Sequence, residues 1–252
     1  MINYQNIAIT GASSGIGYAL ALEFAQKGRY LYLCGRNEYK LKEIKQKCEQ
    51  KGANVSIDVF DITFEIECKK WIEKIFKNRL DLLIANAGIA NGNSYELQKD
   101  KQMVEVNIIG VLNIIVPSIK FFESQKCINN KCGHIVLMSS MVGIFPLPTG
   151  MVYSASKSFI HSYGESLSIA LRKNKIAIST VHPGYVDTKL IQNAGANKPL
   201  QPSQAAKIIK NGILKLKENI YFPISTKIAA KIYNLMPLWI KSKLQSFLPK
   251  EL

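Results

Sequence analysis

No stretch of about 18 uninterrupted apolar residues occurs in this sequence, so no helix is expected to span a membrane. Its first residues, Met1-Ile2-Asn3-Tyr4-Gln5-Asn6, lead directly into an apolar strand. They lack the basic n-region and long apolar core of a secretory signal. Acidic residues are scarce: 18 Asp and Glu stand against 33 Lys and Arg, a formal net charge of +15. The lysines are scattered along helical stretches, and neither a basic block nor clustered arginines and aromatics mark a nucleic-acid interface. Part of the excess reads as solvated surface, and the rest leaves room for an anionic ligand or an anionic membrane surface. The five cysteines (Cys34, Cys48, Cys68, Cys127 and Cys132) are odd in number and show no repeating spacing. In a chain of this length that points to reduced thiols and a cytoplasmic setting. Cys127, Cys132 and His134 lie close together, but no fourth ligand completes a structural zinc site, so no metal is expected.

What is present suits one α/β domain. The 252 residues are 47% hydrophobic and 20% charged, ample for a buried core. Ile7-Ala8-Ile9-Thr10 is a short apolar run that stops at Gly11-Ala12-Ser13-Ser14-Gly15-Ile16-Gly17, and a helical pattern follows up to Gly28. A strand that feeds a glycine turn and a helix N-terminus makes an anion site, because amide N–H groups and the helix dipole converge there. Glycine admits a pyrophosphate close to the backbone, and the last glycine allows tight helix-on-strand packing. Tyr30-Leu31-Tyr32-Leu33-Cys34 reads as the second strand and ends at Gly35-Arg36-Asn37. A carboxylate at this corner would suit the ribose of NAD; none is present, and Arg36 suits a 2′-phosphate instead, favouring NADP(H) over NAD(H).

Residues 38–51 form a basic amphipathic helix. Val55-Ser56-Ile57-Asp58-Val59 alternates like a strand and delivers Asp61 to its end, either near an adenine or as the cap of a helix starting around Phe64. Residues 80–85 form a near-continuous apolar run, the mark of a strand buried on both faces, and end at Asn86-Ala87-Gly88. A helix over 99–124 carries Asn107 among apolar residues. The buried amide needs partners, either backbone at a helix irregularity or a water near the site. His134-Ile135-Val136-Leu137-Met138 presents Ser139 and Ser140 at its end, a helix runs over 153–171, and a strand over 176–181 stops at His182-Pro183-Gly184.

Tyr153-Ser154-Ala155-Ser156-Lys157 carries the chemistry. On a helix, Tyr153 and Lys157 share a face. A phenol ionises near pH 10, so moving it by roughly 3 units needs about 4 kcal/mol. A neighbouring ammonium together with a cationic cofactor supplies interaction of that order, and a nearby serine hydroxyl orients a carbonyl or alcohol.

Taken together these landmarks resemble the short-chain dehydrogenase/reductase family, in its branch of about 250 residues, over residues 4–190. The resemblance implies a Rossmann-type, doubly wound parallel sheet with helices on both faces, as a single domain over 1–252. It implies a catalytic tetrad of Asn107, Ser140, Tyr153 and Lys157, with Ser140 preferred to Ser139 for its distance from Tyr153. It places Gly11, Ser13, Ser14, Gly15, Ile16 and Gly17 at the cofactor turn, and Arg36, Asp61 and Ile62 at the adenosine end. Asn86, Ala87 and Gly88, with Tyr153 and Lys157, would line the middle, and Pro183, Gly184, Val186 and Thr188 would hold the nicotinamide. Ser14 departs from the pattern, because many NADP-preferring members carry a basic residue there. The implied reaction is hydride transfer between a nicotinamide and a carbonyl or secondary alcohol, in a homodimer or homotetramer paired through helices 99–124 and 153–171.

Beyond the core, the polar 185–203 region reads as a substrate lid. Ser203 reads as the N-cap of a helix reaching about Lys217, and Ile220-Tyr221-Phe222-Pro223 as an edge strand. In the extension over 225–252, Ile228, Ile232, Leu235 and Trp239 recur at helical spacing, broken at Pro237, with Lys227, Lys231, Lys241 and Lys243 between them. Such a segment can cover its own core, close the pocket, pack on a second subunit or lie in a membrane interface. The pocket materials favour a lipophilic carbonyl, such as an acyl, steroid-like or retinoid compound. A dinucleotide sensor without turnover is the alternative, but a sensor has no need of the tyrosine, lysine and serine together.

Overall fold

Seven strands pair, all in parallel, in the order β3-β2-β1-β4-β5-β6-β7. The computed structural model describes residues 4–90, 96–188, 199–223, 232–233 and 235–245. Its strands are β1 (Asn6–Thr10), β2 (Tyr30–Gly35), β3 (Asn54–Val59), β4 (Leu82–Ala85), β5 (Gly133–Met138), β6 (Ile176–Pro183) and β7 (Asn219–Phe222). The α-helices are α1 (Gly15–Phe24), α2 (Glu38–Gln50), α3 (Glu65–Ile75), α4 (Leu97–Val104), α5 (Gly110–Ser124), α6 (Met151–Ala170), α7 (Pro202–Leu214) and α8 (Leu238–Gln245). Parallel neighbours need long crossovers, which explains the alternation of strand and helix along the chain. Strand order reverses between β1 and β4, and the crevice outside their carboxyl ends is where such sheets bind ligands.

Pleating divides each strand between two cores, and together they make a three-layer fold. Ile7, Ile9, Leu82, Ile84 and Val136 join Leu20 and Phe24 of α1 and Ile209 and Ile213 of α7 on one face. Ala8, Leu83, Ala85, Ile135 and Leu137 face Trp71 and Ile72 of α3, Ile114 and Phe122 of α5 and Ile160 of α6 on the other. Burial on both sides is why the central strands read as uninterrupted apolar runs.

The expected helix over 99–124 is helical from Leu97 to Ser124, interrupted by a π-helical segment, Glu105–Ile109, that carries the fully buried Asn107. This 28-residue stretch is long and apolar enough to cross a membrane by length and composition alone. Val111, Ile114, Ile115 and Phe122 are nevertheless spent on the core shared with the sheet and α3, as in the core helix of a globular protein.

Several expectations need correction. The five cysteines are not all reduced: Cys127 and Cys132 form a disulfide, while Cys34, Cys48 and Cys68 are free and buried. A tight hairpin between Ile128 and Lys131, turning through Asn129 and Asn130 at positive φ, brings the pair together. Asparagine tolerates that left-handed backbone. The N-cap of α7 is Gln201 and not Ser203, because Pro202 suits the first helical turn and the Gln204 side chain reaches back to accept from the Gln201 N–H at 3.2 Å. Nor does Asp61 cap α3, which starts at Glu65 behind Phe64; its carboxylate accepts from the Thr63 N–H at 3.0 Å. The core of the expected lid, 189–198, lies outside the described residues, as do 224–231 and 246–252 of the C-terminal region.

Helix α6, which carries the Tyr-x-x-x-Lys pair, lies close against the sheet at Gly164. A Cβ there would fall 2.1 Å from Thr180 Oγ1 and 3.2 Å from Leu137 Cδ1. Gly164→Ala is therefore expected to lower stability by about 1–3 kcal/mol, read as a lower urea midpoint. A midpoint equal to that of wild type would show that this contact does not set the α6 position.

Candidate active site

The turn after β1 is braced before it meets any ligand. Gly11 has φ +67°, a backbone that side chains other than glycine rarely adopt, and its Cβ would strike Ala87 Cα at 2.8 Å. A Cβ at Gly17 would lie 2.3 Å from Gly11 O and 2.4 Å from Asn86 Nδ2, so the third glycine serves packing of α1 on the turn. Asn86 Nδ2 donates to the Thr10 carbonyl at 3.0 Å and to that of Gly11 at 3.3 Å. The Thr10 hydroxyl in turn accepts from the Asn86 and Ala87 N–H groups, each at 3.0 Å. The ends of β1 and β4 are thus tied together beneath the start of α1.

At the end of β2 Arg36 meets a carboxylate after all. Asp61 Oδ2 lies 3.4 Å from Arg36 Nη1, brought there by β3 although it is 25 residues away in sequence. The expectation of a corner without an acidic competitor is corrected on that point. The Arg36 side chain stays 58% exposed and is held by one long contact, so it retains donors for a phosphate.

At the other end, β5 and α6 converge. Ser139 Oγ donates to the Lys157 carbonyl at 2.8 Å and is buried, which makes it a structural tie. Ser140, next along, lines the cavity together with Tyr153; its hydroxyl donates to the Pro183 carbonyl and accepts from the Val142 N–H, each at 3.4 Å. Lys157 is buried, with Nζ donating to the Met138 carbonyl at 3.0 Å and lying 5.7 Å from the Tyr153 ring centroid. Burial pushes the Tyr153 phenol up to about 12, against an opposing pull from the Ser140 hydrogen bond. Burial also lowers the Lys157 ammonium to about 8. The protein alone therefore favours a neutral phenol, and lysine by itself does not bring Tyr153 into the working range.

Asn107 stands behind this wall. Its Oδ1 accepts from the Ile89 N–H at 2.8 Å, and its Nδ2 donates to the Ile89 carbonyl at 2.9 Å and to Ser156 Oγ at 3.0 Å. The π segment carries this buried amide, and of the two alternatives it meets the first: it satisfies backbone, that of Ile89. A Cβ at Gly88 would lie 3.1 Å from Asn107 Oδ1 and 3.2 Å from Lys157 Nζ, so glycine keeps open the space between them.

One cavity of about 860 Å³ brings nearly all of these residues together, a volume that suits a large ligand. Gly11, Ser13, Ser14, Gly15, Ile16, Arg36, Asp61, Ile62, Asn86, Ala87 and Gly88 line it, as do Ser140, Tyr153, Lys157, Pro183, Gly184, Val186 and Thr188. Gly17 and Asn107 are not on its wall. Sequence reasoning missed Thr10 as a brace and Ser156 as a partner of Asn107. It also missed the apolar wall of Ile89, Val142, Phe145 and Leu147 and the rim residues Tyr185 and Pro223. Thr10 had a signal, its place at the end of the first strand. The wall residues had none, because they come from loops between landmarks.

The fold and cavity are those of a dinucleotide-dependent oxidoreductase acting on carbonyl and alcohol groups. The short chain dehydrogenase family description matches residues 5–199, and the chain belongs to that family. An uncharacterized oxidoreductase of Mycobacterium tuberculosis is 32% identical over 199 residues, covering 75% of this chain and 76% of the relative. One from Listeria innocua is 34% identical over 198 residues, covering 76% and 78%. Among solved structures, a short-chain dehydrogenase from Sphingobium yanoikuyae in complex with NADPH superposes with a TM-score of 0.80 at 21% identity, covering 98% of this chain and 97% of that one. A family member from Burkholderia phymatum in complex with NAD gives 0.81 at 21%, covering 93% and 95%. The bulky-bulky ketone specific alcohol dehydrogenase of Comamonas testosteroni gives 0.79 at 20%, covering 99% and 96%.

A buried ammonium is a cost to the fold wherever it is charged only against its surroundings' preference. Lys157 loses its proton near pH 8 in the folded protein but at its ordinary 10.5 when unfolded, so the unfolded chain binds more protons between those values. Stability should therefore rise with pH across that window. Lys157→Met is expected to melt above wild type at neutral pH, with the gap narrowing as pH climbs from 8 toward 10.5. A gap that stays constant across this range would rule out the lysine as its source.

Proposed function

We propose that this chain is an NADP(H)-dependent reductase of lipophilic ketones or aldehydes. The observation that carries the reading is the meeting of the Ser140 and Tyr153 hydroxyls on the cavity wall, with the Lys157 ammonium buried one helical turn away. The residues fit a dinucleotide. Glycines stand where a Cβ would crowd the turn, the N-terminus of α1 faces the cavity, and Arg36 waits at the far end for a 2′-phosphate. The nicotinamide supplies the hydride, which adds to the carbonyl carbon in reduction.

Tyr153 gives its proton to the carbonyl oxygen as that oxygen gains negative charge. Ser140 donates a hydrogen bond to the same oxygen and holds it within reach of the phenol. Because burial holds Tyr153 near 12, its phenolate needs positive charge nearby, from the Lys157 ammonium and from an oxidised nicotinamide. Lys157 would also bind the nicotinamide ribose; it passes a proton back to Tyr153 and is itself reprotonated from solvent through water positioned by Asn107 in the space beside Gly88. Pro183, Gly184, Val186 and Thr188 hold the nicotinamide end.

The apolar wall of Ile89, Val142, Phe145 and Leu147 supports a lipophilic substrate, in keeping with the bulky ketones of the Comamonas enzyme. Arg36 supports NADP(H), although solved relatives carry either cofactor. NADP(H) use in turn favours the reductive direction. Exposed Val104, Ile109 and Val116 on the 97–124 helical stretch support pairing of two copies through that surface. We read the chain as one domain, because its described strands share one sheet.

Tyr153→Phe should bind NADPH as wild type does yet lose ~10³-fold in kcat, measured by NADPH oxidation over a ketone panel. Near-normal turnover would end this assignment. Arg36→Ala should raise the KM for NADPH by ~10-fold or more while leaving that for NADH unchanged. An equal effect on both cofactors would remove Arg36 as the phosphate contact.

A further inference from the structure

Of the alternatives open to the C-terminal segment, the structure does not bear out a role in covering the core over residues 232–239. Ile232, Leu235, Leu238 and Trp239 are 52%, 87%, 81% and 71% exposed. Large apolar side chains so exposed within eight residues mark a contact surface. The charge around them has one sign. Between Glu218 and Glu251 the sequence has five lysines (Lys227, Lys231, Lys241, Lys243 and Lys250) and no Asp or Glu. Lys241 Nζ stacks over the Tyr233 ring at 5.0 Å, and Tyr233 meets Phe145 edge-on at 5.8 Å. Phe145 lines the cavity, so the exposed patch adjoins the cavity wall.

We propose that this surface docks on an anionic phospholipid bilayer, placing the cavity beside the lipid. Leucine and tryptophan enter the interface, and the flanking lysines meet acidic headgroups. A second copy of the chain is a poorer occupant. A two-fold contact sets a patch against itself, and here it would set Lys241 and Lys243 of one copy against the same lysines of the other, in a segment whose sequence has no Asp or Glu between Glu218 and Glu251. Delivery of substrate directly from lipid rests on the lipophilic-carbonyl reading above; the docking surface does not.

The test uses the full chain, floated on a density gradient with phosphatidylcholine vesicles, with or without phosphatidylserine. Wild type is expected to float with the phosphatidylserine vesicles at low salt and to be released by high salt. The pair Leu238→Ser/Trp239→Ser and the pair Lys241→Glu/Lys243→Glu should each weaken binding by ~10-fold or more. Both should still reduce a small water-soluble ketone with NADPH at the wild-type rate, which shows that the fold is intact. Absence of wild-type flotation at low salt overturns the proposal. So does unchanged flotation of the Leu238→Ser/Trp239→Ser pair, or a fall from dimer to monomer in that pair without vesicle binding by wild type. If wild type floats but reduces no ketone, the docking surface stands and the reductase reading fails.

Discussion

The site depends on the seam where α6 closes over the end of β5. Two hydrogen bonds cross it in opposite directions. Lys157 Nζ donates to the Met138 carbonyl, and Ser139 Oγ donates to the Lys157 carbonyl. Ser158 Oγ adds a third tie to the Gly143 carbonyl at 2.8 Å. Gly164 lets the helix come close enough for all of them, because any Cβ there would meet Thr180. Beyond the seam, the Ser140 hydroxyl lies on the cavity wall, donating to the Pro183 carbonyl and accepting from the Val142 N–H, each at 3.4 Å. Of two adjacent serines, Ser139 is buried in the seam and Ser140 lines the cavity.

Closing the seam has an electrostatic consequence. Desolvation penalises the charged form of every group it buries, so it raises the phenol of Tyr153 and lowers the ammonium of Lys157. Each shift opposes a phenolate–ammonium pair in the protein alone. The protein alone thus keeps the proton on tyrosine, as the proton donor of the proposed reduction requires. The buried Asn107 contributes differently. Its amide holds the Ile89 backbone and Ser156, so the loop after β4 and the helix bearing Tyr153 are joined through one side chain.

The two ends of the chain's chemistry are built on different materials. The glycine-turn end of the cavity comes from strand ends, where glycine and threonine brace a turn against Asn86. The apolar end, with Ile89, Val142, Phe145 and Leu147, comes from connections between the landmarks, where apolar residues follow no fixed spacing. Through Tyr233, which meets Phe145, the C-terminal segment adjoins that wall and carries exposed Leu235, Leu238 and Trp239 in a stretch of sequence that has lysines but no Asp or Glu. A strongly basic balance, diffuse along most of the chain, becomes meaningful where acidic residues are missing altogether.

The sequence by itself determined the fold class and the strand and helix order, and it marked Ser140, Tyr153 and Lys157, which meet on one cavity wall. Strand burial writes a local pattern, and the glycine turn and Tyr-x-x-x-Lys pair are short enough to be read without knowing any neighbour. Tertiary structure decided what depends on distant partners. Asp61 reaches Arg36 only because β2 and β3 lie side by side. Cys127 and Cys132 pair only because an Asn-Asn turn folds the connection back, and Asn107 faces inward only because a π segment rotates it. The helix 97–124 looks apolar enough for a membrane until the sheet covers it, whereas Leu238 and Trp239 look like core residues until nothing among the described residues covers them. Hydrophobicity is a property of residues; whether it is buried is settled by what the rest of the chain places on top.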